Sequence, residues 1–448
     1  MKFTFENLGP LKKGSLEINN ITVICGRNNT GKTYINYAIY GFYETLYEVI
    51  SEVVTNLNLI SCSKSKCLID LAKIYKSIPE INKSIIKTYS IKMPQKVFNT
   101  ANYLFKECKI QYTTPSLFIS KESFIESYCE NLRDFLNKTK ETLAVEQKDS
   151  LIIIVSEENS SIILKKLILE KVLISTLYFT VYNIHFNSFF LPAERSGLNI
   201  LFKELNLNRN ELMYNLDSLS SMHNKISRYP LSIKNYLNFL NEQIPNKDEE
   251  ASSVKDFNEI TSMLEKDIVG GSYILNDDYS IDFKIGSANN MAIDFHLASS
   301  TARTLFGLDL YMKYKITIGD LLIIDEPELN LHPDNQRKLA RILAKLANKG
   351  IKVLISTHSD YIVQEFNNLI MLSRNFRNRD KIMKKYNYQL DEIITPNNIN
   401  AYISQNDSII KAEIATEGII INTFDEVINS YNKSSDEIYY GYLEDHSL

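Results

Sequence analysis

Gly26-Arg-Asn-Asn-Thr-Gly-Lys32-Thr33 reads G-x-x-x-x-G-K-T, the spacing of a loop that cradles the phosphates of a nucleoside triphosphate. Before it, Ile21-Thr-Val-Ile-Cys25 is a β-branched apolar run suited to a buried strand. After it, Tyr34, Ile35, Tyr37, Ala38 and Ile39 continue as a helix. Strand, glycine loop and helix together turn backbone N–H groups and a helix N-terminus toward an anion. The expected phosphate-binding residues are Gly26, Arg27, Asn28, Asn29, Thr30, Gly31, Lys32, Thr33 and Tyr34. Gly26 and Gly31 permit backbone angles that a Cβ forbids. Lys32 would reach the β- and γ-phosphates, and the Thr33 hydroxyl would bind Mg²⁺.

Two distant segments have matching chemistry. Leu321-Leu-Ile-Ile-Asp325-Glu326-Pro327 is a continuous apolar run ending in two carboxylates, as a strand buried in a parallel sheet would. Functional groups gather at the carboxyl ends of such strands. Asp325 is therefore a candidate Mg²⁺ ligand through water, and Glu326 a candidate base for the attacking water. Paired acids at a strand end can also cap a helix or sit in a solvated turn. Val353-Leu-Ile-Ser-Thr357-His358-Ser359-Asp360 is a second buried-type strand with a polar end. Between them, Pro333 opens a helix, Leu339, Ile342, Leu343 and Leu346 recur at helical spacing, and Gly350 stops it. Residues 321–360 thus read β-α-β, the unit of a parallel sheet, with His358 placed near the γ-phosphate.

These motifs resemble those of ATP-binding-cassette-type ATPases of the RecF, SMC and OLD group. They are most similar to "AAA family" ATPases of anti-phage defence systems such as Septu, PARIS and some retrons. The resemblance rests on Phe3-Thr-Phe-Glu-Asn-Leu-Gly-Pro10, Leu16–Ile24, the phosphate loop, Asp325-Glu-Pro-Glu-Leu-Asn-Leu-His-Pro333 and Ser356-Thr-His-Ser-Asp360. It covers about residues 1–45 and 290–375. It implies an α/β fold, a P-loop NTPase of ABC/SMC-head type with a large, mainly helical insertion. It also implies ATP and Mg²⁺ as ligands, catalysis by Glu326, His358 and Lys32, and a dimer-contacting loop at Leu329–His332. The family's signature helix would begin at Ser299-Ser300-Thr-Ala-Arg303, where Thr301 replaces the usual glycine. Ser299, Ser300 and Arg303 would then face the γ-phosphate of a partner subunit. An ordinary serine N-cap is the alternative. The implied partners are a second copy of the chain, as a dimer or a multiple of dimers, and a separate effector, a nuclease or toxin. A RecF-like ATPase of DNA repair is the alternative function.

Composition sets the remaining bounds. The chain has 448 residues, 44% of them hydrophobic, enough for more than one lobe. A net charge of −4 does not announce a nucleic-acid binder. Five cysteines without a secreted framework suit a reducing cytoplasm, and Cys62 and Cys67 lack a histidine to make a zinc site. No signal peptide or membrane span is expected; Val172–Phe190 is too polar and reads as helix then strand. Locally, Lys64 to Lys109 holds ten lysines against three acids, with Tyr75, Tyr89 and Phe98 interleaved. That pattern could track a phosphate backbone or be a solvated helix face. The motifs place one ATPase head at residues 1–50 and 270–375, with residues 51–269 inserted and residues 376–448 completing the head. Gly270-Gly271 would end the insertion. Phe189-Phe-Leu-Pro-Ala-Glu-Arg195-Ser-Gly197 would lie beside the nucleotide or be an exposed loop, and Phe5 is a weak candidate for adenine stacking.

Overall fold

The computed structural model describes residues 1–63, 66–100, 105, 107–113, 119–139, 144–148, 150–155, 162–216, 229–243, 254–286 and 291–446. The chain forms two compact units. One comprises Met1–Glu17, Tyr34–Phe189 and His223–Asn235. The other comprises Ile18–Thr33, Phe190–Met222 and Tyr236–Leu448. The first strands thus lie in one unit with Tyr34–Phe189, and the phosphate loop lies in the other with Phe190–Met222 and Tyr236–Leu448.

The second unit is α/β. Its sheet runs Ser408–Lys411, Ile399–Gln405, Ile21–Gly26, Lys352–Thr357, Leu321–Asp325, and ends on Ser188–Leu191, within which the chain passes between units. The phosphate-loop strand Ile21–Gly26 is central and parallel to both neighbours, Lys352–Thr357 and Ile399–Gln405. Its side chains are all buried, as the unbroken apolar run requires. The helix Pro333–Asn348 connects two adjacent parallel strands. Its buried stripe contains Leu339, Ile342, Leu343 and Leu346, each contributing roughly 1.5–3 kcal/mol on leaving water. Gly270, left-handed at φ 73°, ends the preceding helical segment. The chain then enters a three-stranded antiparallel sheet, Gly271–Leu275, Ile281–Ile285 and Ala292–Asp294, which leads into the helix Ser300–Leu310.

The register of the parallel strands builds the site. It sets Asp325 beside Ser356, Thr357 beside Cys25, and Ser404 beside Gly26. Strand ends separated by hundreds of residues therefore finish at one sheet edge. The tail supplies one of these strands, Ile399–Gln405.

The first unit has the helices Leu71–Lys96, Lys121–Thr139 and Ile162–Thr176 and most of Lys32–Leu57. It is helix-rich, and it also has two sets of hydrogen-bonded strands. One is Lys109–Thr113, Lys2–Leu8 and Leu11–Glu17. The other is the antiparallel set Ile60–Cys62, Lys66–Asp70, Leu151–Val155 and Ala144–Lys148.

Three observations bear on the expectations for this unit. Cys62 and Cys67 are joined by a disulfide, facing each other across neighbouring strands with Cα atoms 4.1 Å apart. Phe5 is wholly buried and stacks on Phe3 at 6.2 Å, so it has no face for adenine. Tyr75, Tyr89 and Phe98 of the lysine-rich stretch are used internally. Tyr89 donates to Ala38 O (2.6 Å), Tyr75 to Ile119 O (2.8 Å), and Phe98 stacks on Tyr34. Lys92 pairs with Glu52, and Lys96 with Glu48 at 2.9 Å. Lys64 and Lys106 of that stretch lie outside the described residues. Among the described residues no helix is long and apolar enough to cross a membrane.

Candidate functional site

The loop after Ile21–Gly26 turns through three residues of positive φ: Gly26 (148°), Asn29 (61°) and Gly31 (97°). At Gly26 a Cβ would lie 2.3 Å from Ser404 O, so glycine is required by contact as well as by angle. The loop is tied from two sides. Thr30 Oγ1 donates to Arg27 O (2.8 Å), and Ser404 Oγ donates to Thr30 O (2.7 Å). Lys32 and Thr33 open the helix Lys32–Leu57. Lys32 folds back into the loop, donating to Gly26 O (3.0 Å) and Arg27 O (2.8 Å). Burial lowers its ammonium pKa, while Glu326 and Asp325 act to raise it. Arg27, Asn28 and Asn29 are exposed.

Asp325 is buried at its strand end and accepts from Ser356 Oγ, and both Ser356 and the Thr33 side chain act to lower its pKa. Burial nonetheless raises its pKa, with the neighbouring Glu326 adding to the rise. One buried carboxylate beside one helix-start hydroxyl is an all-oxygen, hard-donor pair. That pair fits Mg²⁺, which takes few protein ligands and completes its shell with water and phosphate. Among the described residues no group of three or more His, Cys, Asp or Glu side chains could hold a metal by itself.

Glu326 is left-handed, at φ 50°. For an L-residue with a long side chain this costs roughly 1–3 kcal/mol unless its surroundings impose it. Here its N–H donates to Ser356 O (3.0 Å) and its carbonyl accepts from Arg195 Nη2 (2.8 Å). Its half-exposed carboxylate lies 3.5 Å from His358 Nε2. The His358 hydrogen bond is the main reason its pKa falls below the ordinary 4.5. Glu328 fixes the turn of the second strand, accepting from Thr357 Oγ1 (2.9 Å) and from the His358 N–H (2.5 Å). Burial raises the pKa of the Glu328 carboxyl.

Lys32, Thr33, Asp325, Glu326 and His358 therefore meet at one sheet edge. The ring of Tyr34 stacks on Phe98 (5.6 Å) and Phe105 (5.8 Å) within the first unit. Ser299, Ser300 and Arg303 form a separate group. Ser299 is the N-cap of Ser300–Leu310 and accepts from the Ala302 N–H (3.1 Å). Thr301, in the glycine position, donates to Asn330 O (3.0 Å), and Asn330 donates to Thr304 Oγ1 (3.0 Å). Arg303 Nη1 donates to His296 O at 3.3 Å, and its carbonyl accepts from Asn199 (2.7 Å). The hydroxyl of Ser299 is thus engaged as a cap. The helix start is joined to the 329–332 turn of the same chain.

Periodicity and motif spacing did not single out Ser356, Glu328, Ser404 or Asn199. Each acts through a contact made between distant segments. The Phe189–Gly197 segment, expected beside the nucleotide or as an exposed loop, holds Arg195, which is buried and donates to the carbonyls of Asp325 and Glu326. Asn199 links to Tyr236, whose hydroxyl donates to it at 2.6 Å.

Residues 1–363 match the family model AAA_15, described as AAA ATPase domain, and the chain belongs to that family of ATPase domains. No curated protein sequence matches it. Among solved structures, the SMC head domain from Thermotoga maritima aligns over 92% of this chain and 98% of that one, at 11% identity and a TM-score of 0.31. The Smc head domain with an extended coiled coil bound to the C-terminal domain of ScpA, derived from Pyrococcus furiosus, aligns over 96% and 98%, at 13% identity and a TM-score of 0.30. Likenesses at these scores carry no argument about function.

Proposed function

We propose that this protein binds and hydrolyses ATP with Mg²⁺ at the edge formed by Lys32, Thr33, Asp325, Glu326 and His358. The observation that supports the reading is the parallel register that ends the phosphate-loop strand Ile21–Gly26 and the strand Leu321–Asp325 on either side of Lys352–Thr357, with Lys32 within the electrostatic reach of Asp325 and Glu326. Loop N–H groups from Gly26 to Thr33 would take the phosphate oxygens. The Lys32 ammonium has three donors, and would exchange its bonds to Gly26 O and Arg27 O for the β- and γ-phosphates. Thr33 and Asp325 would hold the magnesium, which when bound would draw charge from the phosphate oxygens. Glu326, kept ionised by His358, would accept the proton of the attacking water. His358 would hold that carboxylate in line and donate toward the γ-phosphate.

Two copies would complete the site. In this reading Ser300 and Arg303, with Ser299 as the cap that orders their helix, present hydroxyl and guanidinium groups to the γ-phosphate bound by the partner copy. Closure on ATP and release on hydrolysis would gate a separate effector, a nuclease or toxin, in anti-phage defence, as the motif resemblance suggests. In the lysine-rich stretch Tyr75, Tyr89, Phe98, Lys92 and Lys96 are engaged internally, so they do not favour a nucleic-acid role.

The test is ATP turnover by the purified chain with and without Mg²⁺, alongside Lys32→Ala. Wild-type turnover and at least a roughly tenfold loss of ATP affinity in the variant are expected. Equal nucleotide affinity in both proteins would refute the assignment of the phosphate loop.

A further inference from the structure

Arg195 is a charged side chain that the proposed chemistry does not use. It is 2% exposed and begins the helix Arg195–Leu216. Its guanidinium makes three hydrogen bonds, all to backbone carbonyls. Nη1 donates to Pro192 O (3.0 Å) and Asp325 O (2.7 Å), and Nη2 to Glu326 O (2.8 Å). Two consecutive carbonyls, one on each side of the left-handed Glu326 backbone, are thus held by the two amino groups of one planar fork. The third bond anchors the same fork to its own loop. Among the described non-glycine residues with positive φ, Glu326 and Tyr279 are the two that are neither Asn nor Asp. Most of the other non-glycine residues with positive φ are asparagines, whose short side chains tolerate that region.

We propose that Arg195 is the positioning residue that imposes the left-handed conformation of Glu326 and so aims its carboxylate at His358. A guanidinium suits this task because its donors are coplanar and fixed in spacing. An ammonium at the same place keeps the charge but cannot hold two successive carbonyls at set angles. The fork acts on the backbone, so its loss should turn the Glu326 side chain without changing the chemistry of the carboxylate. The effect on turnover rests on Glu326 acting as the base in the proposed function. The effect on conformation does not.

The experiment is a double-mutant cycle of Arg195→Lys and Glu326→Gly on the full chain, read by thermal unfolding without nucleotide. Glycine occupies the left-handed region without strain, so it needs no restraint. R195K should lower Tm by at least about 2 °C more in the wild-type background than in the E326G background. Equal losses in the two backgrounds would overturn the proposal, whether or not the protein hydrolyses ATP. If R195K alone does not fold, the double variant should fold; failure of both would make Arg195 a general support of the fold and would equally overturn it. The kinetic arm compares ATP hydrolysis by wild type and R195K. A drop in kcat of about tenfold or more, with KM changed less than about threefold, is expected of misaimed catalysis. An unchanged kcat in an active wild type would overturn the role in turnover. An inactive wild type would refute the proposed function and leave the cycle to decide the conformational claim.

Discussion

The hydroxyl of Thr33 lies close enough to the carboxylate of Asp325, a buried acid that accepts from Ser356, to oppose the rise that burial causes in its pKa. The hydroxyl belongs to the first turn of a helix and the carboxylate to the end of a strand far along the chain. Parallel register brings them together. An acid whose burial raises its pKa is poised to gain from a cation. Asp325→Asn should therefore weaken the Mg²⁺ dependence of ATP binding about tenfold or more. A magnesium titration followed with a fluorescent ATP analogue would measure it; an unaltered titration would remove Asp325 from the metal site.

Glu326→Gln keeps the shape of the side chain and removes the base. Turnover should fall about 10²–10⁴-fold while ATP still binds. Trapped with ATP, the variant should also shift toward a dimer in sedimentation velocity. Turnover within a factor of two of wild type would exclude Glu326 as the base.

The pairing of Glu326 with His358 predicts a pH dependence with a definite sign. The hydrogen bond holds the folded pKa of Glu326 below 4.5. The unfolded chain then binds more protons than the folded one near that pH. The stabilisation is full above 4.5 and is lost as pH falls through the lower folded value. The stability gap between wild type and His358→Ala should accordingly narrow on acidification below 4.5, as followed by Tm from neutral to acid pH. A gap that widens there would contradict the assigned shift. For the same reason, loss of the base should not limit activity until the pH is below 4.5.

Gly26→Ala tests the strand supplied by the tail. The added Cβ would meet the Ser404 carbonyl, at a φ of 148° that alanine resists. Destabilisation of about 2 kcal/mol or more is expected, with loss of ATP binding. Chemical denaturation would read the first effect and an equilibrium binding assay the second. A neutral substitution would mean that Ile399–Gln405 does not brace the loop.

Much of the head was legible in the sequence because its signals are local. The strand Ile21–Gly26, the glycines of the loop, the helix opened by Pro333 and the short strands after Gly270 each follow from residues a few positions apart. So does the convergence of Lys32, Thr33, Asp325, Glu326 and His358, since buried parallel strands end at a common edge. Ser299 caps its helix through the bond from the Ala302 N–H, and the partner-facing role of that helix start is a proposal. The inserted region was legible only in part. Its helices had the right period, but its antiparallel strands are short, and the pairing of Cys62 with Cys67 depends on which strands meet.

Sequence alone determined the chemistry on offer: a glycine loop with a lysine and a threonine, and two apolar strands ending in acids and a histidine. Backbone propensity and hydrophobic spacing are sufficient for that, because they act within a turn or a strand. Tertiary structure alone decided that Arg195 grips the carbonyls of Asp325 and Glu326, that Ser404 braces Gly26 and Thr30, and that Tyr34 packs on Phe98. Those contacts join segments with no common periodicity, so only the register of the sheet and the packing of the helices could select them.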